Sequence, residues 1–217
     1  MYIIIIGAGG IGRRLTELIL KDGNHNVIVI DKDKERCKEI ARKYDAVAIN
    51  ADTTREEALN ESDIKKADVL VTTTDDDAIN LMVCSLAKNK GVKNLISVVN
   101  QEESKPMFIE KNVKMVKSPN IVMAEHIFKA IKHPNVEDYM IIGAHAEIFR
   151  LSIHPNSKLS GKVIAQAGFP KKSLIVAIER DDTLIIPTED VQLHEGDKVT
   201  ALAHMDQVDK VINLFYG

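Results

Sequence analysis

A glycine-rich hexapeptide near the start of the chain constrains its fold more than any other feature. Residues 7–12 read GAGGIG, and the glycines at positions 7, 9 and 12 have the G-x-G-x-x-G spacing. In this pattern Gly7 permits a tight turn after a strand, Gly9 lets a pyrophosphate approach the backbone, and Gly12 lets the next helix pack closely on the sheet. The free N–H groups at the start of that helix favour an anion. The predicted phosphate-binding residues are therefore Gly7, Ala8, Gly9, Gly10, Ile11 and Gly12.

The hexapeptide lies in a long series of alternating strand and helix patterns, which argues against the alternative of a purely structural turn. Short aliphatic runs alternate with charged, helix-periodic stretches to about residue 132, as is typical of βαβ units and a parallel sheet. The predicted strands span residues 2–6, 26–30, 46–49, 69–72, 95–99 and 114–116. The predicted helices span residues 11–21, 34–44, 55–61, 78–90, 103–110 and 120–132. Six such strands form a Rossmann sheet.

The pattern changes after residue 132, where His133-Pro134-Asn135 predicts a helix end and a linker. Beyond it, strands alternate with proline and glycine turns, and a final helix is predicted over residues 205–215. The sequence thus predicts an α/β fold: a Rossmann-type doubly wound parallel sheet in residues 1–134 and a smaller α+β domain in residues 135–217.

An acidic residue follows the second strand at the spacing expected of a nucleotide-binding carboxylate. Asp31 lies about twenty residues beyond the glycine loop, where it can accept hydrogen bonds from both hydroxyls of an adenosine ribose. It would repel a 2′-phosphate, so NAD or an unphosphorylated-ribose nucleotide such as ATP or ADP is favoured over NADP, although nearby Lys32 and Arg36 weaken that preference. The alternative role for Asp31 is a helix N-cap, which Asp33 can fill equally well.

Further polar residues follow the third and fourth strands, at the same carboxyl edge of the sheet. Ligands of doubly wound folds bind at this edge. We expect Asp52 and Thr53 to flank the adenine, and Thr72, Thr73 and Thr74 to line the middle of the site. Lys32 is a further predicted cofactor-binding residue. Asp75 or Asp77 has the alternative role of capping the next helix. Arg13 and Arg14 could contact phosphate, but solvent exposure is commoner for such residues.

Composition narrows the function classes. A net charge of −3 with 28% charged residues suggests neither nucleic acid nor anionic lipid as a partner. Two widely separated cysteines indicate a reducing, cytoplasmic compartment. The apolar start ends at Gly7, too early for a signal peptide, and no segment has membrane-spanning length, so membrane association would require a partner.

No catalytic constellation accompanies the predicted nucleotide site. The seven histidines have no recognised metal-ligand spacing, and the sequence contains no G-x-S-x-G, Walker lysine or C-x-x-C motif. A dehydrogenase needs an acid–base group beside the hydride acceptor. We therefore expect neither catalytic residues nor a metal, and a protein that senses the nucleotide rather than one that oxidises a substrate with it.

The chain resembles the TrkA/KtrA-type RCK proteins, the cytosolic regulatory subunits of prokaryotic potassium transport systems. The resemblance covers both halves and depends on the order and spacing of eight segments: residues 5–12 (IIGAGGIG), 29–33 (VIDKD), 50–53 (NADT), 73–81 (TTDDDAINL), 156–162 (NSKLSGK), 174–180 (LIVAIER), 185–187 (IIP) and 193–199 (LHEGDKV). One departure concerns the strand at residues 95–99, where family members often have an arginine and this chain reads Ser97-Val98-Val99.

The resemblance implies a mechanism as well as a fold. Family members bind NAD(H) or ATP/ADP, pair through the helix that follows the sheet, assemble as homodimers into a ring, and gate a membrane-embedded potassium transporter or channel subunit. In this chain the pairing helix is residues 120–132, whose apolar face is Ala124, Ile127, Phe128 and Ile131. The alternative is that this face packs only on its own sheet.

Two other functions remain open from the sequence. The main rival is an NAD-dependent oxidoreductase with an unrecognised substrate. A nucleotide-dependent DNA-binding regulator would need a basic recognition helix, and the sequence has none that we can identify.

Overall fold

The computed structural model describes residues 1–143 and 145–216. By their packing they form two compact units, the first ending at Val122 and the second beginning at Met123.

The first unit is built on a six-stranded parallel sheet with the order β3-β2-β1-β4-β5-β6. Its strands are β1 (Tyr2–Ile6), β2 (Asn26–Asp31), β3 (Val47–Asn50), β4 (Val69–Thr72), β5 (Asn94–Val99) and β6 (Lys114–Lys117). Its helices are α1 (Gly10–Asp22), α2 (Lys34–Lys43), α3 (Glu56–Glu61), α4 (Asp77–Asn89) and α5 (Lys105–Glu110), and α6 (Pro119–Lys132) follows β6. The strand order reverses between β1 and β4, which is the switch point of a Rossmann sheet. The predicted fold class is confirmed.

The central strand β1 explains why the sheet is covered on both faces. Ile4 and Ile6 pack in one apolar cluster, and Ile3 and Ile5 pack in another. Successive side chains of a strand point to opposite faces, so an uninterrupted isoleucine run suits a strand buried on both sides. This packing fixes the carboxyl end of β1, and with it the glycine loop.

The second unit contains a five-stranded antiparallel sheet with the order β10-β9-β11-β8-β7. The strands are β7 (Asp138–Ile142), β8 (Ala146–Ser152), β9 (Ser173–Arg180), β10 (Thr183–Ile185) and β11 (Lys198–His204), and the final helix is α7 (Val208–Tyr216). Alternate residues of β8 are buried, and its Phe149 belongs to the same core as Phe215 of α7. The predicted α+β domain is confirmed.

The division between the two packing units falls inside α6, between Val122 and Met123. Within the second unit, the last turns of α6 are joined to β8 by an ion pair between Lys129 and Glu147. Glu147 is only 2% exposed, and the Lys129 ammonium also lies 5.7 Å from the centre of the Tyr139 ring. This contact, made by residues far apart in sequence, places the end of α6 with the second unit.

The apolar face of α6 is not covered within the described chain. The helix has no buried residue, and Ile127, Phe128 and Ile131 are 54%, 62% and 73% exposed.

Candidate functional site

A cavity of about 330 Å³ lies at the carboxyl end of the parallel sheet, beside the switch point between β1 and β4. Most of the predicted site residues line it. Its lining consists of Ile6, Gly7, Gly9, Gly10, Ile11, Ile30, Asp31, Lys32, Arg36, Asp52, Thr53, Thr73, Thr74, Asp75 and Ile79. A volume of this size is at the lower end of ordinary small-ligand pockets.

The glycine loop is built so that three glycines each solve a different steric problem. Gly7 has a φ of +100°, which is strained for any residue with a side chain. A methyl group on Gly12 would lie 1.8 Å from the carbonyl oxygen of Gly7, so α1 can approach the turn only because Gly12 has none. A methyl group on Gly9 would meet only the Arg36 guanidinium, at 3.9 Å. The space beside Gly9 is therefore not filled by protein atoms, and a ligand can approach the backbone there.

The first turn of α1 presents backbone donors to the cavity. The helix starts at Gly10, the N-cap is Gly9, no side chain caps it, and its first turn has no acidic residue. The first helical bond runs from the Arg13 N–H to the Gly9 carbonyl at 3.0 Å. The N–H groups of Gly10, Ile11 and Gly12 precede that bond and have no acceptor within the helix. Together with the helix dipole they suit an anion such as a phosphate.

Asp31 is a buried carboxylate, 8% exposed, that links β2 to the glycine loop. Its Oδ2 accepts the Ala8 N–H at 2.6 Å, and its Oδ1 accepts the Asp33 N–H at 2.8 Å. The N-cap of α2 is Asp33, whose carboxylate accepts the N–H groups of Glu35 and Arg36. The alternative role of Asp31 as a helix cap is thus filled by its neighbour. Each Asp31 oxygen keeps a second lone pair for a ligand hydroxyl.

Two threonines after β4 hold the other side of the cavity. The Thr73 hydroxyl lies within hydrogen-bond distance of two backbone carbonyls and can donate to either, at 3.0 Å to Ile6 and 3.1 Å to Gly7. The Thr74 hydroxyl donates to Oδ1 of Asn80 at 2.7 Å, and the fully buried Asn80 amide bonds back to the Thr74 carbonyl at 3.0 Å. The loop is therefore fixed by side chains as well as by the backbone.

Three of the predicted residues lie outside the lining. Thr72 is fully buried and donates its hydroxyl to Ser97 Oγ at 2.8 Å inside the sheet. Ala8 and Gly12 are buried beneath the loop, where Ala8 provides the N–H bound by Asp31. Asp75 or Asp77 was the expected cap of the helix after β4, but the N-cap of α4 is Asp76.

The two other acidic candidates have separate roles. Asp75 lines the cavity. Asp77 accepts the N–H groups of Asn100 and Gln101; burial raises its pKa, but these bonds outweigh burial and hold the pKa below its usual value.

The sequence analysis missed several lining residues. Ile6, Ile30 and Ile79 supply apolar walls, and Arg36 and Asp75 supply charge. The sequence signal for Arg36 was its position in the first turn of the helix after Asp31, and it was weighed only as a charge that weakens the preference for NAD over NADP.

The other arginines near the loop are committed elsewhere. Arg13 makes two bonds to the Glu39 carboxylate, at 2.9 and 3.0 Å, and Arg14 pairs with Glu17 at 2.8 Å. The two arginines therefore pair with carboxylates of α2 and α1. The strand β5 reads NLISVV and contains no cationic residue, and its Ser97 is fully buried.

The acid–base chemistry of the cavity is limited. The titratable groups in its lining are Asp31, Asp52, Asp75, Lys32 and Arg36. The Thr54 hydroxyl and N–H donate hydrogen bonds to Asp52 and lower the pKa of its carboxyl, which is therefore ionised at neutral pH and unsuited to proton donation.

Among the described residues, no cluster of His, Cys, Asp or Glu could hold a metal ion. The described part of the chain also contains no helix long and apolar enough to cross a bilayer.

Two family models match the chain. Residues 3–119 match the TrkA-N domain, and residues 148–216 match the TrkA-C domain. The two matches correspond to the parallel-sheet and antiparallel-sheet parts of the structure.

The chain is similar in sequence to several potassium uptake proteins of archaea. It is 33% identical over 218 residues to a "Trk system potassium uptake protein TrkA homolog" of Methanothermobacter thermautotrophicus, and the match covers all of both chains. It is 32% identical to "Trk system potassium uptake protein TrkA homolog 2" of Methanosarcina mazei; that match covers 98% of this chain and 48% of the relative. The chain thus spans the whole of one relative and about half of another.

The chain also shares its fold with solved structures. The "GsuK RCK domain" superposes with a TM-score of 0.65 at 15% identity, over all of this chain and 48% of that one. The "GsuK channel bound to NAD" superposes with a TM-score of 0.62 at 15% identity, over all of this chain and 39% of that one. A further structure, "GsuK bound to ADP", has a TM-score of 0.53 at 22% identity over 61% of this chain. At these identities the likeness establishes the fold.

Proposed function

This chain belongs to the TrkA family, and from that premise we propose that it senses an adenine nucleotide and thereby regulates a membrane-embedded potassium transporter or channel subunit. The ligand is NAD(H), with ATP or ADP as the alternative. The protein then acts at the cytoplasmic face of the membrane through that partner, without inserting into the bilayer, and it has no catalytic role.

The observation that carries this proposal is the pairing of an uncapped helix N-terminus with a buried carboxylate across one cavity. The α1 N–H groups suit a diphosphate, and Asp31 suits the two ribose hydroxyls of the attached adenosine. The open side of Gly9 lets the diphosphate approach the backbone. These features fit NAD and ADP equally, and they agree with the ligands named for the two GsuK structures.

The exposed face of α6 supports the proposed assembly. Phe128 and Ile131 are among the most exposed large apolar side chains of the chain, on a helix without any buried residue. Burying such a face against a second copy removes apolar area from water. We propose that copies pair through α6 into a homodimer, and that dimers form a ring.

Regulation then requires that the nucleotide bind two arrangements of the assembly with different affinity. A coupling of about 1–3 kcal/mol per site is typical and changes affinity by about 5- to 150-fold. In this proposal the chain's own contribution is to bind and orient the nucleotide in the cavity.

Calorimetric titration with NAD, NADH, ADP and ATP tests nucleotide binding. Asp31→Ala should weaken binding of the physiological ligand at least tenfold, because one charge-assisted pair of ribose bonds is lost. Asp22→Ala is the matched control, since its carboxylate is 80% exposed at the end of α1. Absence of binding by any of these nucleotides at millimolar concentration would refute the proposal.

The regulatory role has its own tests. Phe128→Asp should shift the chain toward monomers in sedimentation analysis while nucleotide binding persists. Potassium uptake by cells that contain the transporter should respond to the chain and lose that response with Asp31→Ala. Sustained NADH turnover on any carbonyl substrate would instead favour the oxidoreductase alternative.

A further inference from the structure

We infer that Arg36 is a ligand-binding residue of the cavity, and that its guanidinium bonds the phosphate nearest the adenosine. The inference rests on the proposed function, because it presumes that the ligand is an adenine nucleotide.

The position of Arg36 places its charge between the two parts of the predicted ligand. Its side chain lines the cavity, with one guanidinium nitrogen 3.9 Å from the place where a Gly9 methyl would lie and 3.9 Å from Asp31 Oδ2. Gly9 marks the approach of the diphosphate and Asp31 marks the ribose. The phosphate attached to the adenosine must pass between these two positions.

The guanidinium of Arg36 has donors to spare. Its ion pairs are long, 3.9 Å to Asp31 and 3.5 Å to Asp33, and its side chain is 54% exposed. Arg13, by comparison, bonds both oxygens of Glu39 at 3.0 Å or less. The α2 helix start is fixed by the Asp33 cap, which holds the Arg36 backbone beside the cavity. Arginine's planar set of donors suits a phosphate.

The charges of the cavity make such a cation necessary. The lining contains three carboxylates, Asp31, Asp52 and Asp75, against two cations, Lys32 and Arg36, a balance of −1. Removing the Arg36 charge makes the balance −2, which opposes a diphosphate.

The test compares Arg36→Gln, which removes the charge, with Arg36→Lys, which keeps it, in the full chain. Arg42→Gln is the matched control, since Arg42 lies in the last turn of the same helix and its loss changes the net charge equally. The affinity for ADP and for NAD is measured by calorimetry at two KCl concentrations, and thermal melting checks the fold. We expect about a tenfold or greater loss for Arg36→Gln and a smaller loss for Arg36→Lys. We expect wild-type affinity for Arg42→Gln.

The dependence on salt separates a phosphate contact from a structural role. Wild-type affinity should fall as KCl rises, and the Arg36→Gln affinity should fall less, because the screened attraction has been removed. Unchanged ADP affinity in Arg36→Gln, or an unchanged salt dependence, would overturn the inference. If the wild-type chain binds neither ADP nor NAD, the proposed function itself fails, which is a distinguishable result.

Discussion

Alanine at three positions of the glycine loop should separate the folding role of a glycine from its ligand role. In Gly12→Ala the new methyl would lie 1.8 Å from the Gly7 carbonyl oxygen and 3.1 Å from the Thr73 hydroxyl. Non-bonded heavy atoms pack at about 3.5 Å, so α1 or the turn must move by roughly 1.7 Å. In Gly9→Ala the nearest neighbour is the Arg36 guanidinium at an ordinary 3.9 Å, and the φ of −67° is allowed for alanine.

The magnitudes follow from these distances. Overpacking costs about 1–3 kcal/mol, and a contact between two backbone segments belongs at the upper end. Alanine regains up to about 1 kcal/mol of helix propensity at position 12. A net loss of about 2 kcal/mol lowers the melting temperature by roughly 6–10 °C for a unit of this size. Gly9→Ala should melt like the wild type and yet lose nucleotide affinity, because its methyl occupies the approach to the diphosphate.

Melting followed by circular dichroism and titration with NAD and ADP measure the two effects. Gly10→Ala is the control for the melting measurement alone, because a methyl there has no protein neighbour within 4 Å. A wild-type melting temperature for Gly12→Ala would refute the steric reasoning. Wild-type affinity for Gly9→Ala would refute the placement of the diphosphate.

Three further predictions concern fixed side chains. Thr73→Val should cost about 1–2 kcal/mol in urea unfolding, since a buried hydroxyl bonded to two carbonyls is lost, and Thr73→Ser should retain most of the stability. Lys129→Met should destabilise more than the double variant with Glu147→Gln, because the single change leaves a buried carboxylate without its cation; equal losses would contradict the buried pair. Burial raises the pKa of Asp197, but hydrogen bonds from the Arg180 guanidinium and the His194 N–H outweigh burial and lower the pKa. The ionised Asp197 therefore stabilises the fold fully above about pH 4, and this stabilisation is lost as the pH falls through the lowered pKa. Asp197→Asn should make the free energy of unfolding less dependent on pH in this acid range.

The predicted site residues that line the cavity are mostly those whose positions are fixed by local spacing. The loop glycines and Asp31 have roles set by a turn, a helix start and the end of one strand, all within a single βαβ unit. The error over Thr72 has a physical cause. A parallel sheet is buried on both faces, so its strands show no alternation of polar and apolar residues. The sequence of β4 therefore does not reveal that the Thr72 hydroxyl bonds to Ser97 on the neighbouring strand, whereas the Thr73 hydroxyl bonds to the glycine loop.

Contacts between distant segments were beyond sequence reasoning. The position of Arg36 over Gly9 depends on where α2 packs, and no spacing specifies it. The ion pair between Lys129 and Glu147 likewise joins a helix to a strand through tertiary packing. The linker at residues 133–135 was predicted from local proline and helix-end signals, whereas the division of the packing units at Val122 and Met123 depends on tertiary contacts.

The buried carboxylate on β8 has a practical consequence for anyone dissecting this protein. A C-terminal fragment that begins at the linker, residues 133–135, would lack the Lys129 ammonium that pairs with Glu147. The fragment would therefore contain a buried carboxylate without a counter-ion. Extending the fragment back through the last turns of α6 restores that counter-ion. The longer fragment also contains the exposed apolar side chains of Ile127 and Phe128, so the fragment that folds better is also the one more prone to self-association.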